Sequence, residues 1–192
     1  MGYYNSLYIA VKTEISQRIN RREELRILQG FIQGLSGTVI EIGCNAGYLT
    51  GKIALVGNVT HAIGIDTNKS RAVAILAKIR NLGSGVKFMY GVSGAKIPVE
   101  DRSVDAIVLS HVLEHFVNPT EILADISRVL KRDGQLVVAV PKEKYLGEFT
   151  PDHKILFRSL ADLERILDAN GFKAIEAREI ARAIVVVAKS VA

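Results

Sequence analysis

The chain has little of what disulfide-linked or membrane-spanning proteins need. It contains 192 residues with one cysteine, Cys44, and no tryptophan. No disulfide can form within the chain, and a thiol-reducing compartment is expected. No apolar run approaches the roughly 18 residues of a membrane span, and the N-terminal residues lack a basic-then-apolar leader with a small-residue cleavage site. We therefore expect a cytoplasmic protein with no membrane span.

The chain also lacks blocks of like charge. Its net charge is +5 and its pI about 9.3, but no run of five or more like charges occurs, and the RREE at residues 21–24 shows how bases and acids alternate. This pattern is typical of a mixed, solvated surface. Because there is no basic-aromatic stripe and no appended binding domain, nucleic acid is a possible partner but not a favoured one.

Periodicity predicts the fold class. With 48% hydrophobic residues, the chain can form one domain with a substantial core. From residue 38 onward, short β-branched runs alternate with amphipathic helical segments, which indicates an α/β protein with βαβ units on a mostly parallel sheet. The seven predicted strands cover residues 38–43, 62–66, 86–90, 104–110, 135–140, 172–177 and 183–188.

Several helix ends carry their own signals. Asn118 and Pro119 predict an N-cap and first helical position, Ser159 predicts the cap of a last helix, and Gly83 ends a helix predicted over 68–82. The last two strands are separated by too few residues for a crossover helix, so they should pair as an antiparallel hairpin. Residues 1–36 are predicted as an N-terminal helical cover on a core of residues 37–192.

A glycine-punctuated turn, EIGCNAG at residues 41–47, follows the first predicted strand. In open parallel sheets the first such turn commonly contacts a ligand. The dinucleotide fingerprint G-x-G-x-x-G would need glycine at three positions that Gly43, Asn45 and Tyr48 occupy here, so two of the three are missing. A ligand without a pyrophosphate is therefore favoured over NAD, and an NAD-dependent oxidoreductase is kept as a minor alternative.

Four stretches together resemble a known family. They are the turn with its preceding acid, Asp66 at the end of the next strand in IGIDTNK, and the passages VDAIVLSHVLEHF and ISRVLKRDGQLVVAVP. In these features the chain is similar to the class I S-adenosylmethionine-dependent methyltransferases, and most similar to their type 11 branch, from about residue 37 to 190. The resemblance implies a Rossmann-like fold: a seven-stranded, mostly parallel sheet with a C-terminal antiparallel hairpin and helices on both faces.

The resemblance also implies where S-adenosylmethionine would bind. Glu41, Gly43 and Gly47 match the first motif, which lies under the methionine moiety, and Asp66 matches the acid that accepts hydrogen bonds from both ribose hydroxyls. The family often has an acid after its third strand to accept from the adenine amine, and Ser93 stands near that place here. The full set of implied cofactor-binding residues is Glu41, Gly43, Cys44, Asn45, Gly47, Asp66, Thr67, Ser93, Ser110 and His111.

The stretch HVLEH, residues 111–115, has two interpretations involving metal. The H-x-x-E-H zinc-protease pattern needs a long helix, which Asn118 leaves no room for. Small-RNA 3′-terminal 2′-O-methyltransferases and some quinone-pathway O-methyltransferases are similar in carrying E-x-x-E-H at this loop, and the RNA enzymes add a later histidine. Here His111 replaces the first acid, Glu114 and His115 are retained, and His153 follows later in the chain. Ordinary type 11 relatives resemble this L-E-H without metal, so we expect Glu114 and His115 to order the loop and we predict no metal.

The resemblance implies a methyltransferase that acts on a small-molecule acceptor. A hydroxyl acceptor would benefit from a general base, and His111, His115 and His153 are the candidates, because imidazoles titrate in the useful range. Residues 142–158 and the N-terminal helices are expected to cover the acceptor. Two alternatives stay open: an RNA or protein methyltransferase, with or without metal assistance, and a non-catalytic S-adenosylmethionine-binding partner subunit.

Overall fold

The computed structural model of the chain describes residues 21–92 and 96–191. Most of the predicted N-terminal cover, and Ser93, lie outside them. The described helices are α1 (Arg22–Ile32), α2 (Tyr48–Ala54), α3 (Arg71–Arg80), α4 (Pro119–Val129) and α5 (Leu160–Ala169), with a 3₁₀ turn at Leu113–His115. The strands are β1 (Gly37–Ile42), β2 (Val59–Asp66), β3 (Lys87–Tyr90), β4 (Val104–Ser110), β5 (Leu130–Pro141), β6 (Phe172–Glu179) and β7 (Ala183–Ser190).

The seven strands form one sheet in the order β3-β2-β1-β4-β5-β7-β6. The pairs from β3 to β5 are parallel, and β7 runs antiparallel to both β5 and β6. This confirms the predicted Rossmann-like fold class, including the C-terminal hairpin. The strand order reverses between β1 and β4, which is where ligands of open α/β sheets bind.

The sheet is buried on both faces because its central strands are almost entirely apolar. Along β4, Ile107 and Leu109 belong to one hydrophobic cluster, and Ala106 and Val108 belong to another. This alternation follows from the two-residue period of a strand. The first cluster includes the apolar stripes of α4 and α5, and the second includes those of α1 and α2. The sequence prediction of helices on both faces is confirmed.

The predicted caps of the last two helices are present. The Asn118 side chain accepts a hydrogen bond from the Thr120 N–H at 3.1 Å, with Pro119 at the first helical position. The Asp162 carboxylate accepts from the Ser159 N–H at 3.1 Å, which is half of a capping box. These local bonds fix where α4 and α5 begin, and therefore how the loops before them are placed.

Helix α3 is shorter than the predicted 68–82. At its start, the Asn68 side chain accepts from the Ser70 N–H at 2.8 Å in a turn, so the helix begins only at Arg71. At its end, Asn81 leaves the helical conformation, and its side-chain amide donates to the carbonyls of Ala77 and Gly47. Side-chain bonds to the backbone thus shorten the helix at both ends.

No helix within residues 21–92 and 96–191 is long and apolar enough to cross a bilayer.

Candidate active site

A cleft of about 790 Å³ opens at the carboxyl ends of β1 and β4. Its walls come from the turn after β1, the loop after β4, the start of α1, and residues 148–153 and 180–183. The volume lies within the range of roughly 300–1,000 Å³ that is usual for small-molecule sites. The predicted cofactor residues Glu41, Gly43, Cys44, Asn45, Ser110 and His111 line this cleft, together with His115 and His153.

The turn after β1 needs glycine for two local reasons. Gly43 and Gly47 have φ values of +76° and +71°, which glycine adopts without steric cost. A Cβ on Gly43 would overlap the Cγ2 methyl of Val112 in the loop after β4, and a Cβ on Gly47 would lie 2.5 Å from the Phe88 ring. The turn is therefore packed tightly against its neighbours, and the Gly43 N–H donates to the Ile65 carbonyl at 2.8 Å.

Asp66 connects the ends of β1 and β2. One carboxylate oxygen accepts from the Asn45 N–H at 2.6 Å, and the other accepts from the Asn68 N–H at 2.7 Å. Each oxygen keeps a second lone pair for an external hydroxyl. Not all predicted cofactor residues line the cleft. Asp66 lies beside it and Thr67 is exposed. Ser93 lies outside the described residues. The Tyr90 hydroxyl donates to the Asn45 carbonyl at 2.6 Å, a contact that sequence patterns did not indicate.

Glu41 is a buried carboxylate in the cleft wall. Burial raises its pKa to about 7, against the lowering effect of the hydrogen bond that the Thr50 hydroxyl donates to it. A cationic group in the cleft would favour the ionised form of this side chain. Burial also raises the pKa of the neighbouring Cys44 thiol well above its usual range, so this cysteine is not a thiolate nucleophile.

His111 adopts a left-handed backbone conformation, with φ +57°, at the end of β4. Its Nε2 lies 2.9 Å from Glu24 Oε2 on α1. Burial acts to raise the pKa of Glu24, but the contacts with His111 and Arg21 outweigh it and lower that pKa to about 2. Burial lowers the pKa of His111. Because Glu24 is ionised, Nε2 of His111 donates its hydrogen to that carboxylate.

The sequence interpretation of residues 21–24 as solvated surface is wrong for Glu24. This carboxylate is only 3% exposed, and Arg21, which pairs with it, also donates to the Ser110 hydroxyl at 2.8 Å. The contacts were missed because the partners are 87 and 89 residues apart in the chain. The sequence does carry a signal that Glu24 is buried: it lies four residues before Leu28, on the apolar stripe of α1.

Three of the four histidines meet around Glu114, which is completely buried. Oε1 of Glu114 lies 3.5 Å from His111 Nδ1 and 3.9 Å from His153 Nε2. His153 Nδ1 lies 2.9 Å from Glu143 Oε1, and His115 Nδ1 lies 3.3 Å from an oxygen of Asp152. The structure thus brings the three predicted catalytic histidines together around one buried carboxylate. Glu143 is a further buried partner that sequence patterns did not indicate.

The donor set fits the cofactor that the sequence resemblance implies. Asp66 offers carboxylate oxygens to hydroxyls, Glu41 offers a carboxylate to an ammonium group, and the turn at 43–47 brings backbone close to the cleft. Chemically, the arrangement can hold one ligand along the turn and a second near the histidines.

Comparison with known proteins identifies the family. A family model described as a methyltransferase domain matches residues 40–138, which is 99 of 192 residues. A probable S-adenosylmethionine-dependent methyltransferase of Mycolicibacterium smegmatis is 31% identical over 139 residues, covering 70% of this chain and 51% of that protein. A ubiquinone biosynthesis O-methyltransferase of Cupriavidus pinatubonensis is 28% identical over 116 residues, covering 57% of this chain and 45% of that protein. This chain therefore spans about half the length of these relatives.

The fold agrees with this assignment. A solved S-adenosylmethionine-dependent methyltransferase from Aquifex aeolicus superposes with a TM-score of 0.75 at 21% identity, covering 95% of this chain and 97% of that one. S-adenosylmethionine is the methyl donor of the matched family. With more than half of its residues matched to the family, the chain belongs to the class I S-adenosylmethionine-dependent methyltransferases, in the type 11 family.

Proposed function

We propose that this protein transfers the methyl group of S-adenosylmethionine to a small-molecule acceptor. The observation that carries the proposal is the single cleft that the turn after β1 and the histidines share. A donor held along the turn and an acceptor beside the histidines would lie in one cavity. At about 790 Å³, the cleft has the size of a small-molecule site.

The turn at 43–47, Glu41 and Asp66 would hold the cofactor. Asp66 would accept from the ribose hydroxyls, and its bonds to Asn45 and Asn68 orient it for that role. Ser110 and His111 would contact the methionine end, since β4 lies next to β1. When bound, the cofactor supplies a sulfonium methyl for an in-line displacement, for which the protein chiefly supplies proximity and alignment.

The acceptor side would be formed by His115, His153 and residues 148–152. His115 is the most exposed of the three clustered imidazoles, with 37% of its side chain accessible, so an acceptor reaches it first. Asp152 faces its Nδ1 and leaves Nε2 toward a ligand. Both nitrogens of His111 face carboxylates, those of Glu24 and Glu114, so its role is to position the loop after β4.

The small-molecule acceptor is supported by the relatives as well as by the cleft. One relative is described as a ubiquinone biosynthesis O-methyltransferase, whose acceptor is a small molecule. By analogy, we place this protein among the methyltransferases that modify small metabolites.

Calorimetric titration followed by methyl labelling tests the proposal. We expect S-adenosylmethionine and S-adenosylhomocysteine to bind with micromolar affinity and NAD not to bind. With methyl-labelled S-adenosylmethionine and a fractionated cell extract, label should enter the small-molecule fraction, and His115→Gln should reduce incorporation while His61→Gln, an exposed histidine outside the cleft, should not. Label in RNA or protein, binding of NAD, or cofactor binding without any incorporation would each contradict the proposal.

A further inference from the structure

A group of buried polar atoms around Glu114 is not explained by the contacts within the protein. Both carboxylate oxygens of Glu114 and one oxygen of Glu143 are buried side-chain atoms of the described residues that have no aligned hydrogen-bond partner. Buried polar atoms in folded proteins are nearly always satisfied, and exceptions mark functional sites or unseen ions. Three such atoms in one cluster, two of them on Glu114, therefore point to a ligand.

The geometry of the cluster fits a metal ion. One ligand atom each from Glu114, His115 and His153 lies within 4.8 Å of the others. Ligands at about 2.0–2.2 Å from a tetrahedral ion lie roughly 3.4 Å from each other. Closing the set around an ion therefore takes side-chain movements of about an ångström.

The histidines are oriented as metal ligands usually are. Metal-binding imidazoles almost always have a carboxylate or carbonyl at the nitrogen that does not bind the ion. Here Glu143 lies 2.9 Å from Nδ1 of His153, and Asp152 lies 3.3 Å from Nδ1 of His115. In both residues Nε2 is left for an ion, and that of His153 already faces Glu114.

We propose that Glu114, His115 and His153 bind a divalent transition-metal ion of the Zn²⁺ or Mn²⁺ class. Two imidazoles and one carboxylate suit such ions, whereas Mg²⁺ and Ca²⁺ prefer all-oxygen sites. Because His115 and His153 line the cleft, the open coordination positions face the acceptor side. This inference departs from the sequence-based expectation of no metal, because both oxygens of the completely buried Glu114 carboxylate lack an aligned hydrogen bond.

The ion's role rests on the proposed function, but its binding does not. An open coordination position beside the acceptor would hold an oxygen of the acceptor or a water molecule. His115 would then be a metal ligand and not a general base. Metal binding can be measured without any acceptor, so a failure of the metal site and a failure of the proposed methyl transfer are distinguishable.

The test is calorimetric titration of tag-free, chelator-treated protein with ZnCl₂, MnCl₂ and MgCl₂. We expect one saturable Zn²⁺ or Mn²⁺ site per chain with micromolar or tighter affinity and much weaker Mg²⁺ binding. Glu114→Gln and His153→Gln should each weaken that site by at least tenfold. His61→Gln removes the fourth histidine, which lies outside the cluster, and should leave the site unchanged.

Three further experiments test the metal site if a buried variant fails to fold. His115 is partly exposed, so His115→Gln tests the site if either buried variant fails to fold by circular dichroism, and it should also bind at least tenfold more weakly. The visible spectrum of the Co²⁺ form should show the bands of a low-coordinate site, and these should disappear in His115→Gln. Titration with S-adenosylhomocysteine should give the same affinity for His115→Gln as for the parent protein. Absence of saturable binding, or unchanged binding in the cluster variants, would overturn the proposal.

Discussion

Replacement of Gly43 by alanine should disturb the cofactor turn through two separable effects. Gly43 has a φ of +76°, and its Cβ would overlap the Val112 methyl at well under the 3.0 Å that real Cβ atoms respect. The left-handed conformation costs about 1–2 kcal/mol for a non-glycine residue. Overpacking against Val112 adds about 1–3 kcal/mol. The total loss in unfolding free energy should therefore be about 2–5 kcal/mol.

Two variants separate the conformational cost from the clash. Gly83 has nearly the same φ, +79°, but a Cβ there meets nothing within 4 Å. Gly83→Ala should consequently lose only the conformational part, about 1–2 kcal/mol. In the double variant Gly43→Ala, Val112→Ala, the overlapping methyl is absent. The two substitutions should therefore show a favourable coupling energy of about 1 kcal/mol or more in a double-mutant cycle.

Urea unfolding measures these energies, and titration with S-adenosylhomocysteine measures the effect on the site. The affinity of Gly43→Ala should fall by about tenfold or more, which is about 1.4 kcal/mol, because the displaced turn carries Cys44 and Asn45 of the cleft wall. Gly83→Ala should bind like the parent protein. Equal destabilisation of Gly43→Ala and Gly83→Ala, or no coupling with Val112, would refute the packing argument.

Three shorter predictions follow from other contacts. Asp66→Ala should weaken S-adenosylhomocysteine binding by about tenfold or more in calorimetry, because hydrogen bonds to a charged acceptor contribute about 1.5–3 kcal/mol each. Asp133→Ala, at an exposed position, serves as the control. Equal affinities of Asp66→Ala and the parent protein would exclude the ribose role. The pKa of Glu41 rises from 4.5 to about 7 on folding, so the folded state holds more protons and the unfolding free energy should fall by up to roughly 3 kcal/mol as pH rises from below 4.5 to above 7. Urea unfolding at pH 5 and pH 9 should show that this part of the pH dependence is absent in Glu41→Gln; identical profiles would contradict the burial effect. Asn118→Ala should cost about 1 kcal/mol through loss of the cap on α4, and an unchanged urea midpoint would show that the cap is dispensable.

The strands could be predicted well where local sequence decides them. The run at 104–110 is apolar except for Asp105 and Ser110, and β4 has the predicted bounds. Strand β5 begins at Leu130, five residues before the predicted start at 135, because Leu130 pairs with Val104 across a register shift. The charged residues that follow Leu130 concealed this pairing, since a period-two pattern detects only regular, half-buried strands.

The cofactor side of the site could also be predicted, because it is built from contiguous chain. Glu41 and Gly43 belong to one turn, and Asp66 ends the neighbouring strand, so sequence position alone brings them near each other. The partners of the histidines could not be inferred in this way. Glu143 follows β5 and Glu24 precedes β1, and only tertiary packing brings them to His153 and His111.

One face of α1 contributes both to the hydrophobic core and to the candidate active site. Glu24, Leu28 and Ile32 are four residues apart and all buried, so one stripe of α1 both packs on the sheet and presents a carboxylate to the end of β4. A buried carboxylate is costly unless it is paired, and here Arg21 and His111 pair with it. Since the apolar contacts of Leu28 and Ile32 fix the register of α1, they also fix the distance from Glu24 to His111. The position of His111 in the cleft therefore depends on core packing about one helical turn away, and substitutions at Leu28 should alter the site as well as stability.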